Sequence, residues 1–389
     1  MPPYYHTKMV GGVLDKHSEY VEDSALKAEN IMYGSYDINS YSSVNERVIY
    51  LGCFIKQWGH FIVDFIPRLW YLIDGAQDCR LAYVSMKNSQ IDGVYEDLLN
   101  LFGIDSNRLI YIKDITQFNE VVVPQTAYER PNFYYKEYGD IFKHIVQRLK
   151  EQNISFPYYD RIYWTRTKLR KARRTEIGEK QIERLFEANG YKVLAPEKLS
   201  LLEQVYYFST CPKMAGISGS IPHNLVFSSS HTEMAIINRT YRINVNQFPI
   251  NEMCGGEITY IDAHASFFPN SADKGPYWLV YNKNLEKFAL DNNFDVPQSI
   301  LRSRGKVRKK DFNKYCTTYF NTYTESELKV NDAGIAGRIL GRSRPLSENM
   351  EEHEIYYYYR KQFGQINNKE QNIKAIKEFI KKTMKKAGK

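Results

Sequence analysis

Residues 161–196 read RIYWTRTKLRKARRTEIGEKQIERLFEANGYKVLAP. RIYWTR (161–166) is rich in β-branched and aromatic residues, as strands are, and YKVLAP (191–196) repeats that character. Between them lies a basic loop and then a helical stretch over 176–189. Strand, crossover helix and strand in about three dozen residues make a βαβ unit, which joins parallel strands. Further strands are expected at KMAGIS (213–218) and TEMAIIN (232–238), separated by helices at 200–209 and 222–228. Towards the N-terminus the same alternation places strands at 48–52, 80–85, 108–112 and 120–124, with helices at 58–74 and 93–102. The reading is an α/β protein with two parallel-sheet domains. Segment 126–159, a loop with one helix that runs on past Pro157, is read as their connection.

A chain of 389 residues exceeds one ordinary core and suits two domains. The boundaries expected are 1–158, 159–250 and a C-terminal extension, 251–389, that partly packs back on the first domain. Hydrophobic content of 43% and charge of 25% exclude wholesale disorder. Cys53, Cys79, Cys211, Cys254 and Cys316 form no CxxC pair, so reduced thiols are expected rather than a disulfide framework. With no apolar leader at MPPYYHTKMVGG and no run of the ~18–20 apolar residues that span a bilayer, a cytoplasmic protein is expected. Net charge +8 favours polyanions or an anionic membrane surface.

The segment WGHFIVDFIPRLWYLID (58–74) is apolar nearly all round, as a buried helix is. Its exceptions, His60, Asp64 and Arg68, recur at i,i+4 and would share one stripe. Asp64 can pair with Arg68, or it can orient His60 as a carboxylate orients a catalytic imidazole. The stripe therefore reads either as a general base with its partner or as a structural cluster bracing a helix kinked at Pro67, where the carbonyl of Val63 would be freed.

A second constellation follows the strand at 161–166. Arg166 ends that strand, and ligands of open α/β sheets bind at carboxyl ends of strands. Its guanidinium fork suits a diphosphate, with Lys168, Arg170, Lys171, Arg173 and Arg174 next along the loop. In GISGSIPHNLVF (216–227) small residues precede Pro222 at a helix start, an arrangement that lets backbone N–H groups meet an anion. His223 and Asn224 would reach a phosphate or a sugar hydroxyl there, or else cap and pack the helix. DxD, HExxH, GxGxxG and P-loop patterns do not occur, so no metal or bound cofactor is expected.

Taken in order, these blocks resemble family-61 glycosyltransferases, which include plant xylan-decorating, animal O-linked N-acetylglucosaminyl and bacterial capsule or lipopolysaccharide enzymes. The family's His-x-x-x-Asp-x-x-Pro-Arg-Leu is met by His60, Asp64, Pro67, Arg68 and Leu69. Its strand ending in Ser/Thr-Arg is met by Thr165-Arg166, and its LSxxEQ by Leu199 to Gln204. Gly216, Ser218, Gly219, Ser220 and Asn224 meet the fourth block, although Ser-Gly-Ser-Ile-Pro stands where the family usually has His-Gly-Ala-Gly-Leu. The likeness covers roughly residues 45–240.

The resemblance implies a GT-B fold, two Rossmann-like domains facing a central cleft, with a helical C-terminal extension. It implies an inverting, metal-independent transferase that moves a sugar from a nucleoside-diphosphate donor, expected to be UDP-linked, to a hydroxyl of a growing surface glycan on a lipid-linked acceptor. His60 or Asp64 would be the base. Arg68, Arg166, Arg174, Gly219, Ser220, His223 and Asn224 would bind substrate, and Glu203 would hold the ribose unless it serves only with Ser200 as a capping box. The alternatives are a pyruvyl or polyol-phosphate transferase on the same scaffold, or a non-catalytic nucleic-acid-binding protein using the basic run 301–310. No interleaved aromatics favour the latter, and no nucleic acid is expected as a partner. The C-terminal stretch carries Ile373, Ile376, Ile380 and Met384 on one helical face among lysines. It reads as a solvated tail or as a contact with the inner face of the plasma membrane.

Overall fold

The computed structural model describes residues 11–25, 40–73, 75, 78–129, 133–169, 176–229, 231–240, 243–265 and 275–302, with 311, 314, 315, 318, 319 and 322. Arg174 with Arg170, Lys171 and Arg173, nearly all of the run 301–310, the stretch 325–350 and the C-terminal helical face lie outside the described residues.

The first sheet contains β1 (Ser42–Phe54), β2 (Arg80–Ser85), β3 (Leu109–Tyr111) and β4 (Thr116–Val122). All pairings are parallel, in the order β3-β2-β1-β4. β1 begins six residues before the apolar run that marks it in sequence. Its early part, SSVNER, pairs with β4 while partly exposed, so it carries no continuous apolar signature. From Val48 onward every residue of β1 is buried, as expected of a central parallel strand.

β1 leads into α1 (Trp58–His60), which continues as a π-helical turn over Phe61–Phe65 and a 3-10 segment over Ile66–Leu72. The second crossover is α2 (Val94–Phe102), closed by Gly103 in the left-handed conformation. A small hairpin of β5 (Tyr128–Glu129) and β6 (Phe133–Tyr134) precedes α3 (Lys136–Glu151).

β7 (Arg161–Trp164) opens the second sheet; β8 (Glu176–Ile177), α4 (Glu179–Glu187), β9 (Lys192–Leu194), α5 (Leu201–Thr210), β10 (Lys213–Ile217) and β11 (Glu233–Asn238) follow. The sheet does not stop at residue 250. After α6 (Gln247–Cys254), β12 (Glu257–Asp262) pairs with β11 in register, while β13 (Tyr277–Trp278) pairs with β8 and α7 (Lys283–Asp291) lies beyond. The order is β12-β11-β10-β7-β9, parallel throughout. Counted from its own first strand this is 2-1-3-4-5, a doubly wound order that reverses between β7 and β10.

The segment between the sheets is more than a connection. α3 buries Tyr138, Ile141, Phe142, Ile145 and Leu149 at helical spacing. These join one apolar cluster that holds Phe54, Phe61 and Phe65 on one side and Trp164, Met214 and Phe227 on the other. Phe142 meets Phe227 edge to face at 5.4 Å. Alternation along β7 sends Ile162 and Trp164 into this cluster and Tyr163 into a second one with Phe186, Ile237 and Leu285. No helix among the described residues is long and apolar enough to cross a membrane.

Candidate functional site

His60 ends α1, just beyond the carboxyl end of β1. Its Nδ1 lies 2.8 Å from Asp64 Oδ2, with the imidazole side chain 34% exposed and the carboxylate 6% exposed. A carboxylate only accepts hydrogen bonds, so Nδ1 carries the proton and Nε2 is the basic nitrogen of the pair. The helix under the dyad explains its geometry. Pro67 lacks an N–H, and the turn before it widens so that the Ile66 N–H reaches the carbonyl of Phe61, five residues back. In that register Pro67 also offers no N–H to the carbonyl of Ile62. The hydroxyl of the fully buried Tyr138, from α3, donates to it at 3.2 Å.

Arg68 departs from the expected stripe. The switch to π and then 3-10 geometry carries it off the i+4 line. Its guanidinium is buried and donates to the carbonyls of Asp23 at 2.6 Å and Ala25 at 3.2 Å. Gly52, at φ +100° beside a bulge in β1, lets the strand approach it; a Cβ there would stand 3.3 Å from Arg68 Nη1. Arg68 thus ties the N-terminal segment to the sheet.

The two sequence constellations meet in space. Trp58 Nε1 donates to Asn224 Oδ1 at 2.6 Å, and a Cβ on Gly59 would stand 3.2 Å from the His223 ring and 3.5 Å from Ser220 Cβ. The glycine before His60 therefore lets α1 close on the turn after β10 and on the 3-10 helix Pro222–Phe227. His223 and Asn224 are both buried. Gln247 donates through its amide nitrogen to Pro222 and Asn251, which fixes its oxygen towards His223 Nδ1 at 2.7 Å. The Asn244 amide nitrogen faces His223 Nε2 at 3.2 Å. His223 is accordingly a neutral ring protonated on Nδ1, engaged within the protein on both nitrogens.

Arg166 and the Gly219 turn flank the point where the second sheet reverses order, the place where ligands of such sheets bind. Glu176 Oε1 accepts from Arg166 Nε and from Arg239 Nη1, each at 2.9 Å, with the carboxylate side chain 4% exposed. Two guanidiniums thus share the Glu176 carboxylate at the strand ends, and Glu183 accepts from the Thr165 and Thr167 hydroxyls beside them. Arg239 follows β11, stacks 4.4 Å from the Tyr277 ring centroid and takes its backbone direction from a bond to Ser218 Oγ. Gly219 sits at φ +152°, where a Cβ would touch the Arg239 fork at 3.5 Å. Below Arg166, the buried Glu179 accepts from its backbone N–H at 2.7 Å, and burial pushes that carboxyl up to about 8.

Glu203 closes a capping box on α5. Its Oε2 accepts from the Ser200 N–H and hydroxyl, and Ser200 Oγ accepts from the Glu203 N–H. Trp58, Glu176, Arg239 and Tyr277 were not singled out in sequence. Arg239 follows a strand just as Arg166 does, so strand-end position was a usable signal. Glu176 and Tyr277 lie a hundred residues apart and meet only through the β8–β13 pairing.

Residues 58–235 match the family model described as Glycosyltransferase 61. The match spans both constellations, and the chain carries a glycosyltransferase domain over these residues; it is an enzyme of that class. The non-catalytic nucleic-acid-binding reading is set aside by that match. No curated protein matches the chain.

Proposed function

We propose that this family-61 glycosyltransferase domain is an inverting, metal-independent enzyme of GT-B type that takes a nucleoside-diphosphate sugar as donor and a glycan hydroxyl as acceptor. The observation that carries the reading is the juxtaposition, through Trp58–Asn224 and Gly59–His223, of a His60–Asp64 dyad with the turn and arginines at the reversal point of the second sheet. His60 Nε2 takes the proton of the acceptor hydroxyl. That oxygen attacks the anomeric carbon from the face opposite the diphosphate, and the carbon–oxygen bond to the phosphate breaks. Asp64 supports the imidazolium, which contributes typically ~10²–10⁴ in rate. The departing diphosphate gathers negative charge beside Arg166, Arg239 and the Gly219–Ser220 turn, where fixed cations and N–H groups stabilise it. Arg174 belongs to the same basic loop and is proposed to join them, and Glu203 to approach the ribose through the carboxylate oxygen not held by its cap.

Transfer from a panel of nucleotide sugars, with titration of UDP, CDP and GDP by calorimetry, tests this. His60→Ala should cut turnover about 10²–10⁴-fold with nucleotide affinity intact. Binding of no nucleoside diphosphate, or full activity in His60→Ala, would sink the proposal. The place proposed for the enzyme is the inner face of the plasma membrane, acting on a lipid-linked surface glycan. The supports are the net charge of +8 and the lysine-rich 369–389 stretch. Liposome sedimentation with and without that stretch tests it; equal binding by both forms would reject the contact.

A further inference from the structure

A cavity of about 440 Å³ lies away from the His60 dyad, between the β5–β6 hairpin, the first turns of α3 and the end of α6. Phe133, Tyr134, Lys136, Gly139, Lys143, Glu252 and Met253 line it. Its size falls in the range of about 300–1,000 Å³ typical of small-molecule sites. Lys136, Gly139 and Lys143 recur at helical spacing on the face of α3 opposite the buried Tyr138, Ile141 and Ile145.

Gly139 is the informative residue. Glycine is the poorest helix former after proline, and α3 carries it as its fourth residue. No backbone requirement explains it: its φ is not in the left-handed range, and a Cβ would meet Met253 Sδ at 3.4 Å, an ordinary contact distance. Close packing against α6 does not demand glycine either, since the methyl fits. What the missing side chain does is leave the floor of the cavity open.

The lining defines the occupant. Phe133 is 50% exposed and packs edge to face on the half-exposed Tyr135, so an aromatic platform stands at the mouth. Around it charges of both signs balance. Asp140 takes Lys143 at 3.0 Å and Lys136 at 3.8 Å, and Glu252 faces them from α6. A polyanion finds no net positive charge there and a purely apolar ligand meets too many charged groups. A ring with an apolar C–H face and a rim of hydroxyls meets both features.

We infer that this cavity is a second carbohydrate site, which holds a neutral pyranose unit of the acceptor glycan away from the reacting end. The inference rests on the acceptor being a glycan, as proposed above. α6 links the two places: Gln247 at its start holds His223, while Glu252 and Met253 near its end line the cavity.

The test uses the full chain on a printed array of defined neutral and acidic oligosaccharides, with UDP titrated separately. Wild type should retain neutral oligosaccharides, Gly139→Leu should lose at least about tenfold in affinity, near 1.4 kcal/mol, and His60→Ala should retain them. Phe133→Ala, at a half-exposed position, should show the same loss and guards against misfolding of the leucine variant. No retention by wild type, or unchanged retention by Gly139→Leu and Phe133→Ala, overturns the inference. Equal loss in His60→Ala assigns the binding to the dyad cleft and also overturns it, leaving the proposed reaction standing. Neutral-glycan retention lost on filling Gly139, in a protein that binds no nucleotide, upholds this site and defeats the donor reading instead.

Discussion

Glu179 is 1% exposed beneath the Arg166 turn, and burial raises its carboxyl from 4.5 to about 8, with Glu176 adding like-charge repulsion and the Arg166 N–H opposing the rise. A carboxyl whose folded value lies above its unfolded one favours the folded state while protonated. That contribution is complete below pH 4.5 and is lost as pH climbs through about 8. One proton at about 1.4 kcal/mol per pH unit over this window gives up to about 5 kcal/mol. Glu179→Gln keeps an acceptor oxygen for the Arg166 N–H and cannot ionise. Urea unfolding of both proteins, stepped across the window, should show wild type losing several kcal/mol relative to the glutamine variant between the acid and alkaline ends. The same ionisation places a second negative charge near Arg166, so UDP affinity of wild type should weaken above pH 8 while the variant holds steady. Parallel stability curves would refute the buried, proton-bearing Glu179 on which both expectations depend.

Tyr138→Phe leaves the Ile62 carbonyl buried without its hydroxyl donor, and should cost about 1–3 kcal/mol in chemical unfolding with UDP affinity unchanged. Arg239→Lys keeps the charge but loses the fork that meets Glu176; UDP affinity by calorimetry should fall about tenfold, or about 1.4 kcal/mol. Gly139→Ala places a methyl where there is room for one in a helix, so the melting temperature should rise, the gain being about 0.5–1 kcal/mol. An unchanged or lower value would mean that Gly139 serves the packing of α3 on α6.

Local pattern alone determined much of this protein. Strands at 80–85, 213–217 and 233–238 and the helix at 94–102 coincide closely with their expected spans, because buried parallel strands and amphipathic crossovers leave dense apolar signatures. The polar opening of β1 and the hairpin before α3 left none, and were found only in three dimensions. His60 and Asp64 were legible because i,i+4 spacing survives a single helical turn. The bonds of Arg68 to the N-terminal segment were not legible, because the π turn and then the 3-10 segment around Pro67 are set by the backbone hydrogen-bond register. Arg166 and Gly219 were legible as strand-end residues. What tertiary structure alone decided was their company. Glu176 shared between Arg166 and Arg239, Trp58 on Asn224, and Tyr138 on the Ile62 carbonyl all join residues distant in the chain, and no local periodicity encodes which of them become neighbours when two sheets and α3 close on one core.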